Sequence, residues 1–336
     1  MNRKENQIIM ELYPLKLKAA LKDYIWGGTR LRDEYGKASD LDKVAESWEM
    51  SVHPDGPSTI VNGPAAGKTL PTYLKEIGQA EPPILIKLID AYDNLSVQVH
   101  PDNAYAQRVE GEPGKTEMWY IVEATPDAQL IYGFKQEITR EEFAQSIKDN
   151  TLLDKVRQVP VKKGDVFYIP SGTLHAIGKG CLICEIQQSS NTTYRVYDYG
   201  RLGKDGKPRQ LHVAKALDVT KLQPLALHTA PEAEIAGVLA GVELSLLKQS
   251  PYFTVYRLDL HDFVGQDEGR LDLMVSPASF QALTVLAGEL RLQAAGQELR
   301  LVKGESAYLP AGLGLCHLSG KASVLLSQKG SGNADA

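Results

Sequence analysis

The chain has 336 residues, 43% of them apolar, with 37 Lys and Arg against 42 Asp and Glu and a formal net charge of −5. One hydrophobic core usually stops growing before this length, so two globular units are expected. The cations are scattered rather than blocked, which excludes an electrostatic footprint for nucleic acid or a membrane surface and leaves a small molecule as the expected partner.

The opening stretch, MNRKENQIIMELYPLKL, has no apolar run of signal-peptide length, and no window approaches the roughly 20 apolar residues of a spanning helix. A cytoplasmic location is expected. Met1 to Gln7 and Lys329 to Ala336 are polar and read as disordered ends. Between them a short helix is expected from Thr69 to Gly78, followed by strands at Ile84–Ile89, Leu95–Val99, Met118–Val122 and Gln129–Tyr132. Ile138 to Val156 reads as a helix, because Thr139 and Glu142 form a capping-box pattern and Phe143 and Ile147 recur at helical spacing. Strands resume at Val166–Ile169 and Leu182–Ile186, and a third helix is expected from about His212 to Val219. Turn residues such as Asp93-Asn94, Gly164-Asp165 and Ser171-Gly172 separate the strands, a spacing that points to a β-sandwich or barrel with a helical insertion.

Cys181 and Cys184 form a CxxC, yet they lie within GCLICEIQQ, an apolar strand pattern, on opposite faces of that strand. No second CxxC or nearby His pair accompanies them, so both are expected to pack rather than bind zinc. Three cysteines in a chain of this size make no disulfide framework.

A weak internal repeat stands out. GDVFYIPSGTLH (Gly164 to His175) and GESAYLPAGLGL (Gly304 to Leu315) share one frame of Gly, Pro and Gly. The final position is His175 in the first copy and Leu315 in the second, so imidazole chemistry is expected in the first alone. His317 is out of register.

Gln98 and His100, two apart on an expected strand, point to one face. With Glu117 and His175 they make an amide, a carboxylate and two imidazoles, a set suited to a divalent metal. Zinc is the first choice, and two His with one carboxylate also suit iron or manganese. One such ion per chain is expected, in the first unit.

The stretches YIWGGTRLRDEYG, ESWEMSVHPDG, LSVQVHPDN, GKTEMWYI, YIPSGTLHAIG and QQSSNTTYRVYDYGR occur in order. Together, from about residue 12 to 328, they resemble the short bacterial form of the type I mannose-6-phosphate isomerases. The resemblance implies a mainly β chain of two cupin (jelly-roll-like β-barrel) units. The catalytic unit would span 12–225, with its helical insertion near 138–157, and a degenerate unit without metal ligands would span 235–328. It implies zinc on Gln98, His100, Glu117 and His175, an active-site arginine at Arg195, and interconversion of mannose 6-phosphate and fructose 6-phosphate. Longer members carry Asn-His-Lys-Pro-Glu before the metal-binding carboxylate; here the run is Gly114-Lys115-Thr116-Glu117, keeping lysine and glutamate without the histidine.

Moving a proton between C1 and C2 through a cis-enediol(ate) calls for a Lewis acid, a proton carrier and cations for oxyanion and phosphate. Lys115 is the candidate proton carrier and Arg195 the candidate oxyanion or phosphate partner. Ser96 and Lys87 are candidates for substrate binding, and Trp48 and Glu49 for the pocket mouth. The competing readings are a cupin-type non-haem metal oxygenase and a non-catalytic sugar-phosphate-binding protein.

Overall fold

The computed structural model describes residues 11–203, 205–226, 234–239, 241–261 and 269–332. Met1 to Gln7 and the last four residues lie outside these, whereas Lys329 ends the final strand, Gly314–Lys329.

The described strands form three sheets, and every strand pairing is antiparallel. The largest runs Glu234–Leu239, Val242–Gln249, Phe253–Leu260, Gly314–Lys329, Gln281–Ala294, Ser306–Leu309, Leu15–Lys18, Thr59–Ile60. Gly269–Val275 and Gln297–Val302 pair onto it from the side. A second sheet has the order Val166–Ile169, Glu117–Ala124, Cys181–Gln188, Ile84–Ala91, Glu46–Met50, Ala20–Lys22. The third is Tyr194–Tyr197, Val97–Val99, His175–Ile177, Gln129–Phe134, Val156–Pro160.

The second sheet is the middle layer. Ile86, Leu88, Met118 and Ile186 on one face share a core with Leu15, Phe253 and Leu325 of the large sheet. Ile89, Trp119 and Ile183 on the other face share a core with Leu130, Tyr132 and Ile177 of the third sheet. Burial on both faces explains why Ile84–Ala91 and Cys181–Gln188 are buried along their whole length and are mostly apolar on both faces, with Lys87, Asp90 and Glu185 as buried charges among them. Cys184 lies in the first core and Cys181 in the second, so the CxxC straddles the sheet. Burial raises the pKa of both thiols, as befits packed cysteines.

The helices Arg140–Lys148, Leu152–Lys155 and Val213–Val219 cover the outer face of the third sheet through Phe143, Leu152 and Ala216. Thr139 and Glu142 close the expected capping box at 3.1 and 2.7 Å. The single helix expected from Ile138 to Val156 is two, because Asn150 takes a left-handed conformation at φ 60° and breaks the run before the short helix Leu152–Lys155, which leads into the Val156–Pro160 strand.

The repeat is structural as well as sequential. Gly164 and Gly304 both have positive φ, and strands Val166–Ile169 and Ser306–Leu309 follow them. Pro170 and Pro310 each accept from the N–H three residues on, at 3.1 Å in both copies. We propose the division into units 12–225 and 235–328, with one qualification from the pairing. Leu15–Lys18 lies between Ser306–Leu309 and Thr59–Ile60, tying the N-terminal part to the sheet of the C-terminal part.

Candidate metal and substrate site

The site lies between the second and third sheets. On the third sheet Gln98 stands opposite His175 on one side and Arg195 on the other. Val97 and Val99 face the helices, so Ser96, Gln98 and His100 turn inward by alternation. The Pro170–Gly172 turn, with Gly172 at φ 83°, leads into the His175–Ile177 strand. From the second sheet, Glu117 opens its strand at the facing position.

His100, Glu117 and His175 are fully buried, and one ligand atom from each lies within 4.8 Å of the others. His100 Nε2 is 3.5 Å from one Glu117 oxygen, and His175 Nε2 is 3.3 Å from the other. Each imidazole donates Nδ1–H to a backbone carbonyl at 2.9 Å, His100 to Thr192 and His175 to Thr173. This fixes the tautomer and turns both Nε2 lone pairs toward the carboxylate. Burial, then the charge of Lys115, holds His175 down to about 4 and His100 well below its ordinary value, so both rings are neutral near pH 7. Buried His175 Nε2 and Glu117 Oε1 have no hydrogen-bond partner among the described residues, an arrangement that is costly unless a ligand takes them up. Two neutral imidazole nitrogens and a carboxylate converging on one point fit a divalent cation.

Beside this cluster runs a row of side chains across four strands. Glu185 stands opposite Trp119 and Lys87, and Lys87 opposite Trp48. Lys87 Nζ is 3.3 Å from Glu185 and 3.7 Å from Glu46. The Trp119 and Trp48 indoles donate to Glu185 and Glu46, each at 2.8 Å. Lys115 Nζ bonds Glu117, lies 2.9 Å from His100 Nε2 and 3.8 Å from Glu185. Burial and the neighbouring Glu185 push Glu117 up to about 7. Burial also works to raise Glu185, but Lys115 and Lys87 outweigh it and draw it down. The carboxylates are thereby driven apart in proton affinity, a pattern suited to acid–base work.

These groups open onto a cavity of about 280 Å³ lined by Lys87, Ser96, Gln98, Lys115 and Arg195, among others. Arg195 donates Nε–H to Ser96 at 3.2 Å and an NH1 hydrogen to the Gln210 carbonyl at 2.9 Å. Arg209 also lines the cavity, held by Asp198 through both carboxylate oxygens.

Two expectations for the pocket mouth are corrected. Trp48 does not line the cavity; it is fully buried, with Lys87 Nζ 5.0 Å over its ring. Glu49 turns to the opposite face of its strand and bonds Ser47, Lys37 and Ser306. The carboxylate that reaches the cavity from this strand is Glu46. Glu185, Glu46 and Arg209 were not expected from the sequence. For Glu185 a signal existed, since it is the one charge inside GCLICEIQQ.

A buried His-Glu-His cluster between facing β-sheets, with a second copy of the same turn that carries Leu315 in place of the histidine, defines a two-unit cupin protein. The model of the catalytic domain of type I phosphomannose isomerase matches residues 14–121, and that of the mannose-6-phosphate isomerase cupin domain matches residues 243–329. The chain is 41% identical to a mannose-6-phosphate isomerase of Streptococcus mutans, over 88% of this chain and 92% of that one. It is 38% identical to a mannose-6-phosphate isomerase of Bacillus subtilis, over 95% and 99%. A crystal structure of the mannose 6-phosphate isomerase from Bacillus subtilis superposes with a TM-score of 0.83 at 36% identity, covering 94% of this chain and 99% of that one. The chain belongs to the type I mannose-6-phosphate isomerases.

Proposed function

We propose that this protein interconverts mannose 6-phosphate and fructose 6-phosphate in the cytoplasm, using one divalent metal held by His100, Glu117 and His175, with Gln98 as fourth ligand and zinc as the expected ion. The observation that carries this reading is the buried His-Glu-His cluster beside a cavity walled by four cations, Lys87, Lys115, Arg195 and Arg209. When bound, the metal supplies Lewis acidity at the sugar oxygens. The remaining steps fall to the chain. Lys115, in contact with His100 and Glu117, and Glu185, 3.8 Å from Lys115, are the groups placed to take the proton from one carbon and return it to its neighbour. Arg195, half-buried and anchored on Ser96 and Gln210, places a fixed positive fork where the enediolate charge develops. Arg209 and Ser96 complete a rim for the phosphate, and Lys87, locked between Glu46 and Glu185, balances the buried carboxylates. No helix among the described residues is long and apolar enough to cross a membrane.

The test is Arg195→Ala with Arg195→Lys beside it. A lost oxyanion partner lowers kcat by roughly 10² to 10³ with KM little changed. Lysine keeps charge but not the planar fork, so it restores only part of the loss. Metal content is unchanged in both. A rise in KM alone would make Arg195 a phosphate anchor, and near-parental kcat and KM would return it to a structural role.

A further inference from the structure

We propose that Glu112 is a positioning residue for the metal centre, acting on His100 through the backbone of residues 190–192. One Glu112 oxygen accepts from Ser190 Oγ at 3.2 Å, from the Asn191 N–H at 3.3 Å and from Thr192 Oγ1 at 2.9 Å. Ser190 Oγ in turn accepts from the Thr192 N–H at 3.3 Å. The Thr192 carbonyl fixed in this way is the one that takes the His100 Nδ1–H at 2.9 Å. Residues 190–192 lie outside the sheet ladders, so no strand pairing sets the direction of that carbonyl. Gln187 Nε2 holds the Ser190 carbonyl at 2.6 Å, and beyond it the Glu112 carboxylate ties down residues 190–192. Asp55 holds the same loop from its other side, accepting from Asn191 Nδ2 at 2.8 Å.

The anchor is itself well placed to be rigid. Glu112 belongs to the segment that carries Lys115 and Glu117, and this segment is tied down by Gly114 N–H to Asn103 at 2.9 Å and Lys115 N–H to the Pro101 carbonyl at 3.0 Å. A Cβ on Gly114 would meet the Asn103 backbone at 2.5 Å, so the chain passes there at a distance only glycine allows. The second Glu112 oxygen stands 3.6 Å from His53 Nε2. Without the Glu112 carboxylate the three donors of the loop lose a shared acceptor and the Thr192 carbonyl is free to turn. The His100 ring then loses its fixed tautomer, and the form with a proton on Nε2 has no free lone pair to offer the cluster. Removing such an outer partner of a ligating histidine typically weakens metal binding about 10- to 100-fold.

This inference rests on the reading of His100 as a metal ligand, and the experiment separates the two. Purified holoprotein, as parent, Glu112→Ala, Glu112→Gln and Thr192→Val, is dialysed against graded EDTA, and retained metal is read by elemental mass spectrometry. Glu112→Ala should lose half its metal at a chelator concentration about 10- to 100-fold below that of the parent. Glu112→Gln, which keeps an acceptor oxygen, should stay within a few-fold, and Thr192→Val, which removes one of the three donors, should fall between. Thermal unfolding of the chelated forms should be alike, which a merely structural role would not give. Parental retention in Glu112→Ala would overturn the proposal; should that variant fail to fold, parental retention in Thr192→Val would do so. A parent that holds no divalent metal would overturn the metal site itself.

Discussion

His100 and His175 already lack a proton near pH 7, whereas Glu117, pushed up to about 7 by burial and by Glu185, still carries one below that value. A metal must displace this proton. Affinity should therefore fall about tenfold for each pH unit below about 7, since one pKa unit is worth about 1.36 kcal/mol, and should level off above it. His175 adds to the slope only near pH 4 and below, and His100, also held well below its ordinary value by burial and then by Lys115, adds nothing near neutrality. Competition titrations between pH 5 and 8 check this, and a flat profile across that range would contradict it. The His-Glu-His cluster was partly legible in the sequence, because strand alternation turns His100 to the same face as Gln98 and the repeat singles out His175. Glu46 and Arg209 were not legible, since what brings them to the cavity is packing between distant segments.

The helical insertion shows how far periodicity carries. Phe143 and Ile147 set the buried face, and the capping box fixes the start. Leu152 and Leu153 continue an apolar pattern that masks the break, although Asp149-Asn150 is a turn-forming pair, and the left-handed Asn150 ends the first helix. Thr139→Ala removes an N-cap whose loss typically costs about 1 kcal/mol. Because these helices cover the outer face of the third sheet, away from the cavity, urea unfolding should shift by about that amount with kcat/KM unchanged. A drop in kcat/KM would show that the insertion reaches the site. The strands of the middle sheet were expected shorter than they are. Their ends, such as Gln187 and Gln188, are polar in sequence yet buried, held by hydrogen bonds to the Ser190 carbonyl and the Thr116 N–H that no local pattern announces.

The two halves are bound together at Glu49. Its buried carboxylate accepts from Ser47 and Lys37 of its own half and from Ser306 of the other, 257 residues away, while Lys37 also bonds the Gly304 carbonyl. This is why a carboxylate that looks like a pocket residue in ESWEMSVHPDG is a tether instead. Glu49→Ala leaves half-buried Lys37 with the Gly304 carbonyl but no carboxylate, and should destabilise the chain by about 3 kcal/mol in urea unfolding, with Glu49→Gln milder. Parental stability in the alanine variant would contradict the tether. Among the described residues of the second half no His, Cys, Asp and Glu side chains gather into a cluster: Leu315 takes the place of His175 at the surface, and His317 bonds Asp272 on the outer face. Its described interior is aliphatic, with Leu283, Leu290, Leu301 and Leu326 in one core.

The most direct measurement is turnover of mannose 6-phosphate to fructose 6-phosphate by the purified protein before chelation, after chelation, and after return of a divalent metal, with His175→Ala alongside. The parent should turn over, lose activity on chelation and regain it with metal, while His175→Ala remains folded, holds little metal and regains almost nothing. Turnover that survives complete metal removal, or a parent inactive on this substrate with its metal in place, would contradict the account.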